Sequence, residues 1–539
     1  MSPAPVPGQK ALLVMYRRGR RESLSREELT MLINRDLECF AKRGPGSGER
    51  ILCIGPLSPY FFVKLIALFA CGATAVLPPP VRTLRELVAA CRDIRPRGIL
   101  APLPLRILLR FLCPPAQRPP AGTPHPLTKK VPNAPARVRP EQLLEDVLAP
   151  QRDRPLLLSS SSGTGGLRHS LVRTGADLAT QSTRISRVLE YSSEEKEACG
   201  IQTFALNNIA SGMEAILIRP GDWRRPARLL RILRRENPDR LSGSPSLVNA
   251  VCRELANRGE TLPRLRRVIC GGAPIHYGFV ARCREHFPNA RISLVYGSTE
   301  AQPIAILDSL QEGGSEKLLE RMRLAAQRGA GLPVGRPVSN TDILILPAAG
   351  GPVFPAAPGG ETIGEVLVRG EGVNNCYLDI EPKDNPSRWY APDGSWYHRT
   401  GDLGYLDAND GSLFLVGRLA LTVESPGGPL HPYPVEALAC LDPAVERAAL
   451  VPAPTGPRGG TGGTSAPLLF IQRGSVRQNA PRIREEALRE RLGEELSRLF
   501  SFKAEIVFLS RIPLDTRHAW RNDYRQLRTI AAARGMRRP

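Results

Sequence analysis

The sequence predicts an α/β protein. Its large N-terminal domain holds mixed and parallel sheets flanked by helices, with a β-rich subdomain, and a small α+β domain follows it. Three observations lead there. Short apolar runs alternate with helically spaced segments between Ile51 and Ala101, and again between Gly200 and Ile269; successive strand–helix units of this kind build a parallel sheet with helices on its faces. From about Gly364 the text changes to short alternating strands separated by glycine turns. At 539 residues the chain is too long for one core, so two or more domains are expected.

Taken in order, Ile51-Leu-Cys-Ile reads as a buried strand, Pro59 to Ala70 as a helix, and Ala73 to Leu77 as the next strand, closed by Pro78 to Pro80. A helix from Leu84 to Cys91 precedes a strand at Gly98 to Ala101. The stretch from Cys113 to Arg139 is proline-rich and aperiodic, which marks a surface connection. In the second series, Glu214 to Ile218 is a strand, Pro226 to Glu236 and Ser246 to Asn257 are helices, and Arg267 to Cys270 is a strand. Gly364 to Gly370 and Ser412 to Val416 belong to the β-rich part. We place the domain boundary at Gly417-Arg418, giving residues 1–416 and 417–539, with a glycine-rich loop at Pro454 to Pro467 in the second. No internal repeat is visible.

Composition narrows the class. An apolar content of 42% supports real cores. The net charge of +22 suggests a polyanion partner at first sight, but only nine of the 74 basic residues are lysine and the arginines are spread along the chain. A nucleic-acid partner is therefore not expected. Eleven cysteines without a C-x-x-C pair argue against a zinc site or a disulfide frame and for a reducing, cytosolic setting. Cys53, Cys71 and Cys270 sit in apolar runs as core residues. The apolar stretch Ala11 to Met15 is too short for a signal peptide, and Phe61 to Leu77 is broken by Lys64 and Gly72, so no transmembrane segment is expected.

The chemistry concentrates in a few segments. Tyr296-Gly297-Ser298-Thr299-Glu300 offers an aromatic face, a glycine that admits close backbone approach, two hydroxyls and a carboxylate. A nucleotide bound with Mg²⁺ needs such groups: a ring to stack on, small residues near phosphates, and a hard oxygen ligand. Asp402, in Thr-Gly-Asp, is a carboxylate at a strand or turn edge, suited to both hydroxyls of a ribose. After the apolar Leu156-Leu-Leu comes Ser159 to Gly166, a Ser/Thr/Gly run of the kind that cradles phosphates with backbone N–H groups. Gly271-Gly272-Ala273-Pro follows a strand, and Gly417-Arg418 closes one.

In this order and spacing, these segments resemble the adenylate-forming superfamily of acyl-CoA synthetases, peptide-synthetase adenylation domains and luciferases. The resemblance runs from about residue 45 to 530. It implies an ATP-dependent acid ligase that turns a small-molecule carboxylic acid into an acyl-adenylate. The cofactors implied are ATP and Mg²⁺, and the second acceptor is CoA, a carrier protein or the substrate's own hydroxyl. It implies that Ser161, Ser162, Gly163, Thr164, Gly165 and Arg168 hold phosphates. Gly271, Gly272, Ala273, Tyr296, Gly297, Ser298 and Thr299 surround adenine and α-phosphate, Glu300 holds the metal, and Asp402 and Arg418 take the ribose. Phe204, Gly272 and Gln302 line the acid pocket, and Arg521 stands where the family has its adenylation lysine.

The chain departs from the family pattern at Leu167, Arg168 and His169, which replace Pro, Lys and Gly, at Ala420 in the hinge, and at Arg521. Charge is kept at Arg168 and Arg521, but arginine and lysine differ in shape and hydration. A degenerate adenylate-binding protein therefore stays open as an alternative. So does a basic interaction protein, although it would not need Glu300, Asp402 and Arg418 in family order. Within the superfamily, Tyr-Gly-Ser-Thr-Glu-Ala-Gln-Pro, Gly-Arg-Leu-Ala and Pro-Leu-Asp-Thr-Arg-His are most similar to the olefin β-lactone synthetases and fatty-acid AMP ligases. That likeness implies a fatty or β-hydroxy fatty acid as substrate.

Overall fold

The computed structural model describes residues 10–55, 57–78, 83–102, 105, 138–140, 142–160, 170–347, 360–425, 428–452, 467–474, 484–500, 502–515 and 520–535. The chain forms two compact units. The first comprises Met1–Ser242, Ser298–Pro303 and Glu371–Arg388, the second Gly243–Gly297, Ile304–Gly370 and Trp389–Pro539.

In the first unit the predicted strand–helix alternation forms a five-stranded sheet. Gly98–Leu100, Arg50–Cys53, Thr74–Leu77 and Pro155–Ser160 lie parallel in that order, and Ser170–Thr174 closes the sheet antiparallel to Pro155–Ser160. The helix Pro59–Ala70 starts where expected because Ser58 accepts from the Phe61 N–H and Pro59 needs no partner at the first position. Phe62, Ile66 and Phe69 are buried, each contributing about 1.5–3 kcal/mol. The helix ends at Ala70 with Cys71 as its cap, and Gly72 follows at a φ of +72° that suits glycine. Cys53 is buried as predicted, and Cys71 only partly.

A second run of strands in this unit is Arg240–Gly243, Lys196–Cys199, Glu214–Leu217 and Ala11–Arg17, all parallel, with Arg20–Ser25 antiparallel at the edge. The N-terminal hairpin was not anticipated. Its second strand, Arg-Arg-Glu-Ser-Leu-Ser, is polar because it is an edge, and Arg18 and Gly19, both at positive φ, make the tight turn. The helix Pro226–Glu236 buries Leu229, Leu230, Ile232 and Leu233 and exposes Arg231, Arg234 and Arg235.

In the second unit the strand order is Thr341–Leu346, Gly364–Gly370, Trp396–Leu406, Leu413–Arg418, Leu332–Pro337, Ala305–Asp308, Arg291–Tyr296 and Arg267–Gly271. Only the last two pair parallel. Beyond Arg418 the chain forms a three-stranded sheet of Val445–Val451, Leu468–Arg473 and Glu505–Leu509. Strand alternation sorts its two faces. Ala448, Leu450, Leu469 and Ile471 pack with Val435 of the helix Pro432–Ala439 and with Leu488, Leu492 and Leu496 of Glu485–Phe500. Ala449, Val451 and Phe470 pack with Leu527 and Ala531 of Tyr524–Gly535. Among the described residues no helix is long and apolar enough to cross a membrane.

Candidate active site

The hairpin Trp396–Leu406 and Leu413–Arg418 sets Asp402 directly opposite Arg418. The Arg418 Nε lies 3.0 Å from Asp402 Oδ1, and the Tyr296 hydroxyl donates to Oδ2 at 2.8 Å. Both carboxylate oxygens are thus engaged, each keeping a second lone pair for a ligand hydroxyl. The turn behind Asp402 is built locally: Thr400 Oγ1 donates to Val366 O and accepts from the Asp402 N–H. Burial, followed by the Asp402 charge and its hydrogen bond, holds the Tyr296 phenol well above its usual range, so it stays a donor. The Asp402 charge raises the Arg418 pKa, against burial.

Arg521 donates from Nε to the carbonyl of Gly272 at 3.0 Å. Gly271 is needed here: a Cβ would lie 2.5 Å from Val295 O. Gly272 follows at φ +84°, and Ala273 lies in the same turn. Burial first, then repulsion from Arg418, lowers the Arg521 pKa. The Tyr433 phenol and the carboxylates of Asp402 and, more weakly, Asp515 oppose that shift, so two guanidinium groups and two carboxylates act on one another here.

Three residues missed in the sequence complete this group. Tyr433, buried, feels Asp402, Arg418 and Arg521; burial before all else raises its pKa. Trp520 donates its indole N–H to Pro274 O at 3.1 Å and packs edge-on to Phe279. Arg447 lies 4.0 Å above the Trp520 ring and donates to Trp520 O at 2.8 Å. An aromatic residue beside Arg521 was the available signal for Trp520; nothing local marked Tyr433 or Arg447.

Ser298, Thr299 and Glu300 of the motif belong to the first unit. Ser298 Oγ accepts from the N–H groups of Glu300 and Ala301, both at 3.2 Å, and the Ser298 N–H reaches Ala301 O at 2.8 Å. This hydroxyl shapes its own turn by accepting, and its O–H stays able to donate. Glu300 is buried; its Oε1 accepts from the Tyr377 hydroxyl at 3.0 Å and its carbonyl accepts from the Asn374 N–H. Arg173 reaches the Thr299 carbonyl. Neither Arg173 nor Tyr377 was singled out from sequence, since they stand 127 and 77 positions from Glu300.

Phe204 is buried in the helix Gln202–Ser211, and Gln302 is part-buried. Gly297 follows the strand that carries Tyr296. Ser161, Ser162, Gly163, Thr164, Gly165 and Arg168 lie outside the described residues.

Residues 4–378 match the family described as AMP-binding enzyme. The chain belongs to this family. It is an AMP-forming ligase that activates a carboxylic acid with ATP. The chain is 29% identical over 461 residues to an olefin beta-lactone synthetase of Xanthomonas campestris, covering 80% of this chain and 77% of the relative. A protein of the same description from Stenotrophomonas maltophilia is 28% identical over 516 residues, covering 90% and 88%. Among solved structures, an o-succinylbenzoate coenzyme A synthetase of Bacillus subtilis in complex with AMP superposes with a TM-score of 0.69 at 18% identity, covering 96% of this chain and 95% of that one. That likeness concerns the fold.

Proposed function

We propose that this AMP-binding enzyme activates an aliphatic carboxylic acid carrying a β-hydroxyl, and that the hydroxyl then closes on the activated carbonyl to give a β-lactone. The activation step must bring a carboxylate onto the α-phosphate, two anions together, so its barrier falls where cations and dipoles are fixed in advance. The observation that carries the reading is the convergence of Arg521, Gly272, Arg418 and Asp402 in one place.

In this reading Tyr296 offers a ring to adenine and Asp402 binds the ribose hydroxyls. Ser161 to Gly165 with Arg168 hold the β- and γ-phosphates, and Arg521 lies between the carboxylate and the α-phosphate. Phe204 and Gln302 border the acid. Mg²⁺ commonly binds one carboxylate plus substrate phosphates, and the buried Glu300 carboxylate, oriented by the Tyr377 hydroxyl on Oε1, fits that need. Glu300 supplies that carboxylate, and the bound ion would neutralise phosphate charge. A carboxylate oxygen attacks the α-phosphorus, the bond to the bridging oxygen breaks, and pyrophosphate leaves. The β-hydroxyl oxygen then attacks the acyl carbon, AMP leaves, and the hydroxyl proton passes to solvent. We further propose that residues 417–539 form a small domain that reorients between the two steps.

Two synthetases among the relatives carry the lactone-forming description, which supports the second step. CoA is the competing acceptor, favoured by further relatives described as CoA ligases. ATP–pyrophosphate exchange with medium- and long-chain acids, with and without a 3-hydroxyl, tests activation, and Glu300→Gln should lower it about a hundredfold with the fold intact. Consumption of the 3-hydroxy acid without CoA supports lactone closure; a thioester formed only with CoA replaces it by thioester synthesis. AMP binding with no exchange for any acid overturns the reading.

A further inference from the structure

Arg173 is buried, 7% exposed, on the strand Ser170–Thr174. A guanidinium loses several kcal/mol of hydration in such a place. Its fork goes two ways. Nη1 donates to Ser159 Oγ at 2.6 Å, and Nη2 donates to the Thr299 carbonyl. Ser159 stands at the end of the strand Pro155–Ser160, immediately before the Ser/Thr/Gly segment. Thr299 precedes Glu300. Burial lowers the Arg173 pKa, while the charges of Glu300 and Asp177 oppose that.

The same strand is tied to the Glu300 turn by a second route. Asn374 donates its amide N–H to Glu300 O at 2.7 Å and its side-chain Nδ2 to Val172 O at 2.9 Å, while Tyr377 holds the Glu300 carboxylate. The arginine thus has two donors in fixed directions, each on a different segment. A lysine ammonium at the same place has no planar fork to span both oxygens.

We propose that Arg173 is a positioning residue whose fork sets the Ser298–Glu300 turn against the entry to the Ser/Thr/Gly segment before nucleotide arrives. The inference rests on the reading above that both segments handle ATP phosphates. It assigns Arg173 no contact with substrate.

The test uses Arg173→Lys and Arg173→Met in the full chain. Misplacement of a metal-binding carboxylate lowers turnover more than binding. In pyrophosphate exchange, kcat should fall about a hundredfold for R173M and about tenfold for R173K, with KM for ATP within about threefold of wild type. Amide hydrogen exchange, which needs no catalysis, should be about tenfold faster at residues 298–301 in both variants, with the strand Thr74–Leu77 unchanged. Unchanged protection at 298–301 in either folded variant overturns the proposal. A rise in KM with kcat preserved also overturns it, because Arg173 would then contact ATP itself. So does an equal loss of protection throughout the first unit, which marks a general structural role. If R173M fails to fold, R173K decides by the same measurements. If wild-type protein shows no exchange with any acid, the functional reading fails, and hydrogen exchange still decides whether the fork holds the turn.

Discussion

Replacing Arg521 tests the assignment of the catalytic cation. Among the described residues its side chain donates to the Gly272 carbonyl, and it is part-buried with Arg418 nearby. Removing it in the resting protein costs one charge-assisted bond, at most ~1.5–3 kcal/mol and less after solvent screening at a half-open site. It also relieves repulsion with Arg418. Arg521→Ala should therefore fold and bind ATP with KM within about threefold of wild type. During attack on the α-phosphate the same guanidinium meets growing negative charge, and losing such a donor costs ~3 kcal/mol, about a hundredfold in kcat. Steady-state pyrophosphate exchange with saturating acid separates the two constants. Arg521→Lys should retain or exceed wild-type turnover, because an ammonium carries the same charge on a slimmer head. An alanine variant within threefold of wild-type kcat would refute the assignment.

Asp402→Asn should raise KM for ATP about ten- to a hundredfold and change kcat less, since hydrogen bonds from ribose hydroxyls to a charged acceptor are worth ~1.5–3 kcal/mol each; equal effects on both constants would place Asp402 elsewhere. The Glu436 carboxyl, buried on the helix Pro432–Ala439, is pushed up to about 8 by burial, although the Tyr524 hydroxyl and the Leu450 N–H donate to it. A raised folded-state pKa favours the neutral acid, so stability is full below about 4.5 and is lost as pH rises through about 8, by ~4–5 kcal/mol in the limit. Glu436→Gln should raise the melting temperature above pH 8 and leave it nearly unchanged at pH 5; parallel pH profiles for the two proteins would contradict this.

Local pattern carried much of the fold. Pro59–Ala70 and Pro226–Glu236 were placed to the residue, because a capping serine or a first-turn proline starts each and a change of composition ends it. Asp402 and Arg418 were each singled out by motif, but their pairing was not foreseen: they lie sixteen residues apart on one hairpin, and its register brings them opposite. The N-terminal hairpin was not legible, because an edge strand of mixed arginine, glutamate and serine lacks an apolar alternation. Arg173 and Tyr377 escaped notice for another reason: their meaning lies in contacts across the fold to Thr299 and Glu300, which no window of sequence contains. The same holds for the arginines. They are spread in the chain, yet Arg219 and Arg228 converge on the Tyr16 carbonyl and Arg235 lies over the Tyr16 ring.

Gly272 and Pro274 present their carbonyls to two neighbouring side chains of the C-terminal segment, Arg521 and Trp520. Two anchors two residues apart fix the rotation of the segment on the turn as well as its distance. A ligand that re-aims those carbonyls must then change how tightly the segment sits, and linkage makes the effect mutual: displacing the segment alters ligand affinity by the same factor. Any ligand that reached the turn would thus be linked to the position of the C-terminal segment.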